Sequence, residues 1–217
     1  MNIKAVFIGI LSLYLQSLYA YIPSHLEKVQ QSDECTGCDL TQIEIMHWTH
    51  IEIKSNDLKN SLWTKSTLHN DRTVDFSEKN IEKSNFVLSD IQNLKFNKSI
   101  IDNANFTASS LQGCRFDDAS LKQVNFSNSS HSQSQFTRAN LSNANFKNAS
   151  CYKCVFMQAN LEKAVFVGAR MQHSNFYGSN ITQEQLDSME SYECATLPDG
   201  TVYDKNGENG EVDCDYN

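Results

Sequence analysis

The chain has 217 residues, a length that fits one domain or one elongated repeat array, and a formal net charge of −8. Only eight Gly and two Pro are present, which argues against a fold made of many tight Gly/Pro turns. Asn and Ser abound while Phe, Leu and Ile recur at even spacing. That pattern implies a thin apolar core under a polar shell and excludes wholesale disorder, because a disordered chain has no reason to keep an apolar period.

Residues 1–20 read as a secretory signal peptide. Lys4 supplies the positive start, Ala5 to Leu15 the apolar run, and Ala20 a small residue at the expected cleavage point. The apolar run is shorter than the roughly 20 residues a membrane-spanning helix needs, so no span is expected after cleavage. The mature chain is therefore expected outside the cytoplasm, periplasmic or secreted. All seven cysteines lie beyond residue 20, and an oxidising compartment would join them as disulfides. Seven is odd, so at least one stays unpaired within the chain. Cys194 with Cys214 is the first candidate pair, because it would close the tail. Cys35 with Cys38 is the second, although these two equally fit a feature of the N-terminal cap, assigned to residues 21–42.

Within residues 43–75 an irregular array begins. Ile43, Trp48, Ile53, Leu58, Trp63 and Leu68 recur every five residues, but the positions between them include large residues such as Met46 and Ile51. The step from Leu68 to Phe76 is eight, so three extra residues lie between His69 and Asp75, as a bulge or a loop.

Residues 76–181 repeat without interruption. From Phe76 to Ile181 every fifth residue is large and apolar, and only His131 and Cys151 depart from this in 22 positions. Phe alternates with Leu, Ile or Met along the series. From Ser84 onward the residue two before each is nearly always small, for example Ser84, Ala104, Cys114, Ala139 and Ala159, with Leu94 the large exception. A period of five is neither the helical 3.6 nor the strand 2. The chain must regain the same inward orientation every five residues, as a stacked coil with short flat sides does.

The triplets Ala104-Asn105-Phe106, Ala139-Asn140-Leu141, Ala144-Asn145-Phe146 and Ala159-Asn160-Leu161 resemble the A-(N/D)-(L/F)-x-x motif of the pentapeptide-repeat family. The opening Cys35-Thr36-Gly37-Cys38-Asp39-Leu40 is also similar to the start of many family arrays. The resemblance implies an all-β chain folded as a right-handed quadrilateral β-helix, four repeats to a coil. In that geometry residues ten apart face each other, so Phe would stack on two opposite sides and Leu or Ile on the other two. Residues 182–217 then supply a short C-terminal capping helix and an acidic tail. Thr182-Gln183-Glu184-Gln185 has the form of a capping box, Leu186 and Met189 give the helix an apolar stripe, and Leu197-Pro198-Asp199-Gly200 reads as a turn.

The resemblance points to a protein-binding or structural scaffold whose partner the residues do not name; a second copy of the chain is compatible. Some family members mimic DNA and bind a type II topoisomerase, which needs a negative rod. Here residues 76–181 hold seven acids and eleven bases, a balance of +4, while ten acids and one Lys lie in residues 184–217. The bases are too dispersed for a nucleic-acid site. Two metal readings remain open. Asp199, Asp204, Asn206 and the acids to Asp215 offer hard oxygen ligands, but without an EF-hand glycine. His131, Cys151 and Met171 lie twenty residues apart, one above another on successive coils, and are soft donors suited to copper. Neither outweighs a solvated tail and a tolerated core histidine. No nucleophile elbow, phosphate-binding loop or zinc-protease helix occurs, so neither an enzyme nor a cofactor is expected. The Asn-x-Ser/Thr sequons, such as the one at Asn97, follow from the repeat itself.

Overall fold

A computed structural model describes residues 23–45, 53–69, 74–204 and 214. The expected signal peptide at 1–20 and most of the acidic tail lie outside the described residues.

The chain winds into a right-handed, four-sided β-helix of parallel rungs, the hand that parallel crossover connections take. From Asp75 to Val155 the paired residues are twenty apart; counting the sides in chain order from the first coil, Asn80 pairs with Ile100 on the first side, Asn85 with Asn105 on the second, Asp90 with Ser110 on the third and Asp75 with Lys95 on the fourth. On the third side the pairing is continuous enough to form four strands, β1 (Glu44–Ile45), β2 (Thr67–His69), β3 (Asp90–Gln92) and β4 (Ser110–Gln112), in the order β1-β2-β3-β4.

Each corner is one tight turn. At most corners of the regular coils the residue two beyond the inward apolar position has a positive φ, and the amide after it donates to the carbonyl of that apolar residue, as Ala104 does to Ile101 at 3.1 Å. This is the type II signature, which usually calls for Gly. Here non-glycine residues such as Glu78, Leu88 and Ala108 hold it with φ near 60°. The Asn or Asp before the apolar residue secures the same turn. Its side-chain carbonyl accepts the N–H two residues on, from Asn105 to Thr107, Asn125 to Ser127 and Asn145 to Lys147, each at 3.0 Å. The polar member of the motif is thus a turn-former. Between coils the amides bond directly, as Phe106 N–H to Asn125 O at 2.7 Å and Ala108 N–H to Ser127 O at 3.0 Å.

The core follows from the alternation. Phe76, Phe96, Phe116, Phe136, Phe156 and Phe176 stack along the fourth side, and Trp63, Phe86, Phe106, Phe126, Phe146 and Phe166 along the second. Successive ring centroids are 4.6–5.7 Å apart. The two stacks meet edge to face, as Phe96 meets Phe106 at 6.4 Å. Several serines of the small inward column donate to a carbonyl of the coil below, whereas Ser99 and Ser129 donate to the Phe three residues back. Ser84 donates to Leu58 O at 2.9 Å and Ser174 to Cys151 O at 2.7 Å.

The first coils depart from the every-five register that starts at Ile43. Glu34 pairs with Asp57, Asp39 with Leu62 and Ile45 with Leu68, so Ile45 holds the central position and Ile43, buried, lies in the column two residues before it. An eight-residue step then leads from Ile45 to Ile53, matching the one from Leu68 to Phe76. Pairing in these two coils is at an offset of 23 residues, three more than in the coils that follow. Trp48 lies outside the described residues.

Helix α1 (Pro23–Gln31) covers the N-terminal end, with Val29 fully buried and its carbonyl accepting the amides of Lys54 and Ser55. At the other end α2 (Gln183–Asp187) begins at Thr182, which makes the reciprocal capping box with Gln185. Leu186 and Met189 are buried beneath it. The chain then completes two more sides, pairing Ser191 with Arg170 and Thr196 with Asn175. Residue 202 folds back antiparallel onto Thr196 and ends the stack.

Candidate binding surface

The residues singled out by chemistry sort into two groups, and both are inside or at the ends of the rod. Cys194 and Cys214 form a disulfide, Cα atoms 5.4 Å apart, as do Cys35 and Cys38 at 5.4 Å. A third disulfide joins Cys151 to Cys154, Cα atoms 5.5 Å apart. Sequence reasoning missed it. The signal was the shared C-x-x-C spacing: one corner turn brings the inward residue and the third residue after it to bridging distance.

His131, Cys151 and Met171 do stack on successive coils of the third side and are all buried. The Cys151 sulfur, however, is bonded to Cys154, so a disulfide separates the other two and no thiolate is offered to a metal. His131 Nε2 lies 2.7 Å from Ser129 Oγ, and its ring packs edge-on to Phe126 at 4.6 Å. Its Nδ1 has no partner, and burial holds its pKa down to about 3, so it is neutral. The remaining thiol, Cys114, is buried, and desolvation raises its pKa to about 12, which leaves it unreactive. Among the described residues no cluster of His, Cys, Asp or Glu has the arrangement of a metal site.

The outer surface of the regular coils is mostly polar, with exposed Leu88 and Ile100 as exceptions, and many of its side chains pair with one another. Arg138 makes two short contacts to Asp118, at 2.7 and 2.8 Å, which lower the aspartate's pKa, and Arg115 meets Asp117 at 3.1 Å. Amide side chains link successive coils, as Asn145 to Asn125 at 3.2 Å.

The C-terminal end differs. Five of the eight exposed large apolar residues, Tyr152, Val165, Val167, Tyr177 and Val202, lie in or beyond the last coils. On the second side the Asn column at 85, 105, 125 and 145 gives way to Val165. There α2 replaces the rung that would come next. Gln185 Nε2 plugs the carbonyls of Leu161 and Ala164, both at 2.8 Å, and Ser188 O takes the Gly168 amide at 3.0 Å. A cleft of about 500 Å³ remains between α2 and residues 162–167. Residues 183–204, which surround this end, contain six acids and no Lys or Arg.

The match to a family model agrees with this repeat architecture. The family model for pentapeptide repeats matches in eight copies, over residues 84–123, 99–130, 119–156 and 144–183. The repeat region of this chain belongs to the pentapeptide-repeat family. Among solved structures it is similar to a pentapeptide repeat protein from the cyanobacterium Cyanothece 51142, at 15% identity and a TM-score of 0.40 over 76% of this chain and 95% of that one. It is also similar to a pentapeptide repeat protein of the Arabidopsis thaliana thylakoid lumen, at 24% identity and a TM-score of 0.40 over 48% and 68% of the two chains. QnrB1, a plasmid-mediated fluoroquinolone resistance protein, aligns at 16% identity and a TM-score of 0.40 over 76% and 84%. No curated protein sequence matches the chain. No helix among the described residues is long and apolar enough to cross a membrane.

Proposed function

We propose that this chain is an exported, non-enzymatic scaffold that docks a protein partner at the C-terminal end of its β-helix. The observation that carries the reading is that five of the eight exposed large apolar side chains lie at that end, while Leu62, Leu88 and Ile100 are spread over the earlier coils. The core spends its Phe, Leu and Ile on itself, so recognition falls to what projects from a rigid frame. The signal-peptide pattern of residues 1–20 and three cysteine pairs in disulfide contact suit an oxidising compartment. Topoisomerase binding by DNA mimicry would need a negative rod in the cytoplasm, and the +4 balance of residues 76–181 speaks against it.

Cell fractionation with intact mass tests this. Recovery outside the cytoplasm, starting at Tyr21 with three disulfides, is the expected result. Chemical cross-linking should then yield one defined protein adduct through the last two coils. A full-length, reduced, cytoplasmic protein would overturn the reading and return topoisomerase binding to consideration.

A further inference from the structure

The cleft beneath α2 is where the rod lacks one rung of its second side. On the coils below, each Phe of that side donates its amide upward: Phe106 to Asn125 O at 2.7 Å, Phe126 to Asn145 O at 2.8 Å and Phe146 to Val165 O at 2.8 Å. Phe166 has no such acceptor, and its amide and that of Val167 are without a hydrogen-bond partner among the described residues. The Val167 amide is open for a second reason: the Asn that caps it on the coils below is Val165 here. Val165 and Val167 are 42% and 50% exposed and line the cleft. An open strand edge flanked by two exposed β-branched residues is a template for strand addition.

Charge selects the occupant. Of the charged residues that line the cleft, Glu162 and Lys163 pair with each other at 3.5 Å, which leaves Glu184, and the stretch 183–204 beside it holds six acids and no Lys or Arg. We infer that the cleft receives an extended, basic peptide segment of a partner protein, lying as the missing rung, with a backbone carbonyl on the Phe166 amide, apolar side chains over Val165 and Val167, and Lys or Arg toward the acidic end. This rests on the protein-docking reading above and names the kind of segment that docks.

Fluorescence anisotropy of a labelled hexapeptide of alternating valine and lysine against the whole mature chain tests it, with an alternating valine–glutamate peptide as the comparison. The basic peptide should bind, with affinity falling as NaCl rises from about 50 to about 500 mM, and the acidic one should not. The double substitution V165N/V167S returns both positions to residue types that the same side uses at Asn125 and Ser127, so thermal unfolding should be unchanged while Kd rises at least about tenfold. Equal binding of both peptides, no binding of the basic one, or an unchanged Kd in the double variant overturns the inference. If the variant still forms the cross-linked partner adduct, the cleft assignment fails and protein docking stands. If the unsubstituted protein forms no adduct, docking itself fails.

Discussion

At the scale of single residues the structure separates groups that look reactive from groups that are. His131 occupies a position that Leu111 fills one coil earlier, fully buried and with Nδ1 unpartnered. Because its pKa falls from an ordinary 6.5 to about 3 on burial, the unfolded chain takes up a proton that the folded chain refuses. Stability is therefore complete above pH 6.5 and declines as pH falls toward about 3, by about 1.4 kcal/mol per pH unit. His131→Leu should remove that slope and raise stability at pH 5, measured as the difference in denaturant midpoint between pH 8 and pH 5. The histidine was legible as an exception to the repeat and as a tolerated core residue; the depression of its pKa was not, because that depends on the desolvating Phe126, Phe136 and Phe146 rings around it. Likewise the Asn of the motif was visible in sequence as a recurring letter. Its work as the acceptor that holds each left-handed corner appears only in three dimensions.

At the scale of elements the C-terminal cap is the informative one. The sequence of Thr182 to Gln185 announced a helix start, and the structure adds that Gln185 serves two ends at once. Its Oε1 accepts the Thr182 amide at 2.9 Å while its Nε2 closes two carbonyls of the last coil. Gln185→Ala leaves those carbonyls without a partner and removes half of the capping box, so a loss of about 1–3 kcal/mol is expected. Native-state hydrogen exchange should show faster exchange at the Gly168 amide, which α2's successor Ser188 protects, with little change at Phe106 in the middle of the rod. What could not be read from the letters was the return of the chain to the sheet after α2, because the side residues at Ser191 and Thr196 follow a step of 21 rather than 20. The two early triplets hid the first register for the same reason: an eight-residue step and a five-residue step can both begin on an isoleucine, and only pairing across coils distinguishes Ile43 from Ile45.

At the scale of the whole molecule stability is a chain of neighbour terms. Eleven Phe residues and Trp63 are essentially inaccessible. Phe126 touches rings on coils above and below, at 5.2 and 5.1 Å, whereas Phe176 is stacked on one side only, over Phe156 at 5.1 Å. Phe126→Ala should cost about 3–5 kcal/mol and Phe176→Ala less. In equilibrium unfolding the first should split the melt into two steps, since it cuts the rod in the middle, while the second should lower only the C-terminal part. The uninterrupted period made a stacked coil with flat sides legible from residues 76–181 alone, and the resemblance to the pentapeptide-repeat family implied that the sides are four. The surface that distinguishes this chain from any other rod of the same kind was not, because it lies where the period stops.

The twenty-residue turn has one consequence for how such a molecule can change length. Adding a single repeat in the middle of the rod would rotate everything downstream by a quarter turn against the first coils, carrying α2 and its cleft from over the second side to over the third. Adding four would lift the cap by about 4.8 Å and leave every contact beneath it intact. Length in this protein is therefore quantised, with a reading frame in space as strict as the one in its gene.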